Sequence, residues 1–160
     1  MKKVLLTLIA LIAVGSVQAV DPNLYHVTPN GFQRGTEVTA SFSGRRLTDA
    51  EEIMIYEKGV KVLSIDKKED RSITAKIKIA PDAELGEYKF RIRTKTGLSE
   101  LRTFYVGPFK QVDELEKSTE NNDIAKAEKI EPNVTVMGKV NREDTDHYYF
   151  ETKKGEKISV

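Results

Sequence analysis

The chain has 160 residues, 26 of them basic and 25 acidic, with both signs interspersed and no cysteine. That balance excludes the basic face that nucleic-acid binding needs, and equally a polybasic membrane patch. The lack of cysteine excludes a disulfide scaffold and leaves the fold to a hydrophobic core.

Residues 1–19 have the pattern of a signal peptide. Lys2 and Lys3 precede the apolar run "VLLTLIALIAV", and "VQA" supplies small residues for cleavage after Ala19. The run is shorter than the roughly 20 residues of a stable transmembrane helix. No cysteine follows it to carry a lipid. The mature chain is therefore expected to be exported to the periplasm, the cell surface or the medium, with no membrane insertion after cleavage. It keeps 24 basic against 25 acidic residues, a net charge near −1.

From Leu24 to Val106 apolar and polar residues alternate, the mark of half-buried antiparallel strands with one wet face. Strands are expected at Leu24–Thr28, in "EVTASFSG" with Val38, Ala40 and Phe42 inward, at Ile53–Tyr56 and at Val60–Ile65. They continue in "SITAKIKIA" with Ile73, Ala75, Ile77 and Ile79 inward, in "EYKFRIRT" with Tyr88, Phe90 and Ile92 inward, and at Arg102–Val106. Turn signals fall at 29–31, 58–59, 66–70, 81–86 and 96–97. Seven short strands in about 85 residues describe an all-β, immunoglobulin-like β-sandwich over residues 20–107. In "ELGEYKF", Tyr88 has the setting of a tyrosine corner, bonding back to the preceding turn, or else is an inward aromatic with a wet hydroxyl. Phe90 stands where antibody domains carry a disulfide cysteine.

Residues 108–123 lose the alternation and turn acidic, as an interdomain linker does. Residues 124–160 restart apolar spacing, with a strand at Thr135–Val140, another in "HYYFET", a turn at Lys154–Gly155 and the start of a third. About 40 residues with two or three strands cannot bury a self-sufficient core. This second β-sandwich module is thus incomplete, and is expected either to continue past Val160 or to pack on the first.

The stretches "VTPNGFQRGTEVTASFSGRRLTDAEEIMIYEKGV" and "IAPDAELGEYKFRIRTKTGLSELRTFYVG" resemble an IPT/TIG-type immunoglobulin-like domain in the order and spacing of their marks. The region from "TENNDIAKAEKI" through Val136–Val140 to "DTDHYYFETKKGEKISV" resembles the opening of a bacterial pre-peptidase C-terminal domain, with an added "EKST" in the lead-in. Both resemblances imply spacer, adhesion or substrate-holding modules of larger secreted or surface proteins.

Nothing in the sequence marks an enzyme. There is no G-x-S-x-G, no H-E-x-x-H and no phosphate-cradling glycine loop, and His26 and His147 are the two histidines. Glu51 and Glu52 read as a turn-like surface pair. Lys89, Arg91, Arg93, Lys95 and Arg102 could share one outer sheet face, either an ordinary solvated face or a docking surface for an acidic partner. Asn133-Val134-Thr135 matches a glycosylation sequon, discounted because the short Lys-Lys leader is bacterial in type.

One metal site is open to consideration. Asn141, Glu143, Asp144 and Asp146 offer hard oxygen ligands of the kind calcium takes. By the second resemblance, Asp144 and Asp146 would bind Ca²⁺ together with the lead-in residues Asn122 and Asp123, and with Glu114, Glu116 and Asn121. The other reading is that the D-x-D caps a turn, as Asp commonly does. The expected function is a non-catalytic binding, adhesion or spacer module whose partner is a protein or polysaccharide at the cell surface. The alternative is the accessory N-terminal part of a secreted peptidase or other hydrolase.

Overall fold

The structure is a computed structural model that describes residues 20–114, 121–138 and 145–159. The expected signal peptide therefore lies outside the described residues, among which no helix is long and apolar enough to cross a membrane.

Eight strands build an immunoglobulin-like sandwich of two four-stranded sheets. They are β1 (Asn23–Thr28), β2 (Gly31–Gln33), β3 (Glu37–Arg45), β4 (Ala50–Ile55), β5 (Val60–Lys68), β6 (Ser72–Ile79), β7 (Gly86–Thr94) and β8 (Arg102–Gly107). One sheet has the order β1-β3-β6-β5 and the other β2-β8-β7-β4. The first strand changes sheets at the cis peptide Thr28–Pro29, so β1 pairs antiparallel with β3 while β2 pairs parallel with β8.

The period-2 pattern fixes which side chains face inward. Ala40, Phe42, Ile73, Ala75, Ile77 and Ile79 from one sheet meet Phe32, Ile53, Tyr88, Phe90, Ile92, Phe104 and Val106 from the other, all buried. Phe104 sits at the centre of an aromatic cluster. Its ring centroid lies 4.8 Å from that of Phe32, 5.5 Å from Tyr88 and 5.7 Å from Phe90.

Three places depart from the expected pattern. Gly31, placed in a turn by "PNG", opens β2 (Gly31–Gln33), whose three residues are too few to display alternation. β5 runs to Lys68, into the expected 66–70 turn, because bulges at Val62/Ser64 and Ile65/Lys67 shift its alternation. Glu51 and Glu52 lie in β4, not in a turn, and a bulge between Ala50 and Glu52 leaves both exposed.

Beyond the sandwich, Lys110–Asp113 form β9 inside the stretch read as linker. β9 pairs parallel with β11 (Val134–Met137). Asp123 caps a 3-10 turn at Ile124–Lys126, and β10 (Glu128–Lys129) pairs parallel with β12 (Tyr148–Tyr149). The expected turn is present at Lys154–Gly155, where Glu156 N donates to Lys153 O at 3.1 Å and Gly155 takes φ +98°. The third strand expected after it is not formed over residues 157–159.

Candidate functional site

The tyrosine corner is formed. The Tyr88 hydroxyl donates to the carbonyl of Glu84 at 2.9 Å, tying β7 to the turn before it. Burial pushes the phenol above its ordinary value, and the charges of Glu84 and Glu57 add to that.

The five basic residues do not make a continuous positive face. Lys89 pairs with Glu57 at 3.2 Å, and its backbone N–H donates to the same carboxylate at 2.7 Å. Burial pulls Glu57 upward, but the N–H and ammonium of Lys89 outweigh it and hold the carboxyl below its usual range. Arg93 is held by both Glu51 and Glu52, with Nε 3.1 Å from Glu52 Oε2. Arg91 donates to Ser99 O at 2.7 Å. Arg102 shares the strand parity of buried Phe104 and Val106, and it donates to Tyr25 O at 2.8 Å at the β1 edge. Lys95 is exposed in the turn after β7. Lys89 and Arg93 are paired with carboxylates, and Arg91 and Arg102 are tied to backbone carbonyls, which weakens the acidic-partner reading without removing the charge of Arg91, Lys95 and Arg102.

Glu100 forms a clamp that no sequence pattern announces. Its carboxylate accepts from Leu24 N at 2.8 Å and from Asn23 Nδ2 at 2.9 Å, fastening β1 to the segment before β8. Those bonds, Leu24 N–H first, hold its carboxyl below the usual range. A single glutamate between Ser99 and Leu101 carries no sequence signal for such a distant backbone contact.

In the second module the lead-in residue Asn121 meets His147. His147 N donates to Asn121 O at 3.1 Å, and Glu128 N donates to His147 O at 2.8 Å. His147 Nδ1 lies 3.2 Å from the carbonyls of both Asn121 and Thr145, which makes it the protonated ring nitrogen. The Tyr148 hydroxyl donates to Glu114 Oε1 at 2.6 Å. Burial, then that bond, then the charges of Glu114, Asp146 and Glu128 push the phenol far up.

Of the proposed calcium ligands, Asp123 uses Oδ1 to accept from Ala125 N at 3.1 Å, which is the capping role. Asn122 Oδ1 is shielded from solvent with no hydrogen-bond partner. Asp146 is half-buried beside Tyr148. Asn141, Glu143, Asp144 and Glu116 lie outside the described residues. Among the described residues no three His, Asp or Glu side chains are grouped to hold a metal ion.

Among the described residues, no nucleophile or carboxylate is hydrogen-bonded to either histidine ring. His26 sits exposed on β1 beside Tyr25, where a bulge turns both residues outward. Among the described residues, each carboxylate or phenol displaced from its ordinary pKa serves a structural bond: Glu57, Glu69, Glu100, Tyr88 and Tyr148.

The sandwich has a long open cleft of about 520 Å³. It lies between β4 and β5, the terminal strands of the two sheets, and is lined by residues 51–56 and 60–65. Ile55, Val60, Val62 and Ile65 form its half-buried apolar floor.

No protein-family model matches the chain, and no curated protein matches it. Among solved structures it is similar to the filamin domain of Lin-41, with a TM-score of 0.37 and 14% identity over 51% of this chain and 90% of that one. It is also similar to SGBP-B of the Bacteroides ovatus mixed-linkage glucan utilization locus, solved in complex with a mixed-linkage heptasaccharide. There the TM-score is 0.34, with 20% identity over 49% of this chain and 21% of that one.

Proposed function

We propose that this chain is an exported, non-catalytic binding or spacer module of a larger bacterial secreted or cell-surface protein. The observation that carries the reading is the pairing pattern of its polar groups. Among the described residues the displaced carboxylates and phenols stabilise strands and turns. Glu57 and Tyr88 border a second cleft of about 480 Å³, but there Glu57 is engaged by Lys89 and the Tyr88 hydroxyl by Glu84 O, so neither is held ready as an acid, base or nucleophile. The β4–β5 cleft, lined by strand edges and aliphatic side chains, is suited to holding a partner and not to transforming one.

Membership of a larger protein is supported by the second module. A cleft of about 640 Å³ there is lined by Ile130, Val134, Phe150 and Ile158, and both Phe150 and Ile158 are exposed. Its two-stranded pairs are too small to be stable by themselves.

The test is direct. Protein recovered from the periplasm or medium should begin at Val20, have a mass above that of residues 20–160, and show no turnover of casein or generic esters. An uncleaved cytoplasmic product, or robust hydrolysis by residues 20–160, overturns the reading.

A second reading, calcium binding at the lead-in, is favoured by the unpartnered Asn122 Oδ1 and by the hydrogen bonds joining Asn121 to His147. Asn122 and Asp146 would then supply oxygen ligands to an ion that ties the lead-in to β12, with Asp123 and Asp144 completing the set.

A further inference from the structure

The two walls of the β4–β5 cleft differ in how they meet the hazard of an open strand edge. β5 is blunted by its two bulges and carries Lys61, Lys67 and Lys68. From Glu52 to Ile55, β4 has no bulge, no proline and no lysine. The hydrogen-bond parity of β4 follows from two observations. Tyr56 N donates to Lys89 O, placing Tyr56, Met54 and Glu52 on the β7 side. Ser99 N donates to Ile92 O, so Ile92 faces β8 and leaves Arg91 and Arg93 to face β4. The backbone N–H and C=O groups of Ile53 and Ile55 therefore point into the cleft, where no protein group among the described residues meets them.

One end of the cleft is closed by the Lys68 ammonium, which donates to Ala50 O at 2.9 Å across the gap. The charges on the rim nearly cancel, because Glu51 and Glu52 share Arg93 on one wall and Lys61 and Lys68 stand on the other. A cleft without net field does not select a polyanion or a strongly charged chain. It offers two residues' worth of extended backbone hydrogen bonding, spaced by about 7 Å along the strand, above a floor of four aliphatic side chains.

We infer that β4 accepts an uncharged extended peptide segment as a fifth strand of its sheet, with apolar residues at alternate positions lying on Ile55, Val60, Val62 and Ile65. The inference rests on the reading of this chain as a binding module and names the partner that module takes. Main-chain bonds to Ile53 and Ile55 supply affinity, and the aliphatic floor selects the alternating side chains.

The experiment is a titration of the ¹⁵N-labelled chain, residues 20–160, with a capped hexapeptide of alternating valine and threonine, followed by amide spectra and hydrogen exchange. Saturable shifts by about 1 mM peptide should concentrate at Ile53, Ile55 and residues 60–65, and the Ile53 and Ile55 amides should exchange more slowly. The fully N-methylated peptide should bind about tenfold more weakly or worse, since its N–H groups can no longer donate to the Ile53 and Ile55 carbonyls and its N-methyl groups crowd the strand edge. Val62→Lys should abolish binding, while Tyr105→Lys, on the exposed side of β8 and outside the cleft lining, should bind as the parent does.

Equal binding of the N-methylated peptide, shifts centred elsewhere, or no saturation overturns the inference. None of those results touches export or the absence of turnover, so the broader reading is judged separately. If Val62→Lys fails to fold, the N-methylated peptide alone still decides the question.

Discussion

Phe42 on β3 and Phe90 on β7 meet edge to face between the two sheets, with ring centroids 5.2 Å apart and planes at 73°. Both are fully buried. In antibody domains the corresponding inter-sheet position holds a disulfide. Here an aromatic contact takes the place of a crosslink, in a chain without cysteine. Phe42→Ala should cost about 3–5 kcal/mol, a large part of a typical domain's stability. A double-mutant cycle of Phe42→Leu and Phe90→Leu should show a coupling of about 0.5–1.5 kcal/mol by urea denaturation. Additivity within error would mean that the rings act only as bulk.

This core was the most legible part of the sequence. Ile73, Ala75, Ile77 and Ile79 alternate without interruption, and each lies on the inner face as its parity requires. Legibility fails where a strand is short or bulged. β2 contributes a single large apolar side chain, Phe32, and pairs parallel with a strand about 70 residues later, for which no local pattern exists. Charge was read poorly for a similar reason. The row Lys89, Arg91, Arg93 is visible in the sequence, but its partners Glu57, Ser99, Glu51 and Glu52 are brought to it by the fold. The β4–β5 cleft depends on which strands end each sheet, a property of topology that no stretch of residues displays.

The hydroxyl of Tyr88 should matter separately from its ring. Tyr88→Phe keeps the stack on Phe104 and removes the bond to Glu84 O, so a loss of about 0.5–1.5 kcal/mol is expected near neutral pH. The folded-state pKa of this phenol is raised above its ordinary value of 10.0. Its contribution is therefore fully present below pH 10 and lost as pH rises through the folded value. Urea midpoints should be level from neutral pH to about 9 and fall above 10, with a smaller fall in Tyr88→Phe. The same fall in both proteins would assign the alkaline loss to other groups, Tyr148 first among them.

Glu100 should produce the opposite dependence. Its carboxyl is held below the ordinary 4.5, so its stabilisation is present above that pH and lost as the pH drops through the depressed folded value. Glu100→Gln should cost about 1 kcal/mol at pH 7, a figure reduced for the solvent exposure of the side chain. The gap between variant and parent should close toward pH 3. A constant gap from pH 7 to pH 3 would show that packing, not the charge-assisted bonds to Asn23 and Leu24, fastens β1.

Calcium binding and turn capping make separable demands on the lead-in. If the ion binds, the melting temperature of the full chain should rise with millimolar Ca²⁺ and return with chelator, approaching about 2.7 kcal/mol of stabilisation at a hundredfold excess over the dissociation constant. Asn122→Ala and Asp146→Ala should each remove that rise. Asp123→Ala tests the cap in the absence of calcium: losing the bond from Ala125 N should cost about 0.5–1 kcal/mol there. Asn122→Ala discriminates most sharply, because Asn122 Oδ1 has no hydrogen bond to lose. Without an ion, removing that shielded oxygen should leave stability unchanged or raise it, since an unsatisfied polar atom is costly to bury. A melting temperature insensitive to Ca²⁺, together with an Asn122→Ala variant at least as stable as the parent, would leave the D-x-D and its lead-in as turn-forming residues alone.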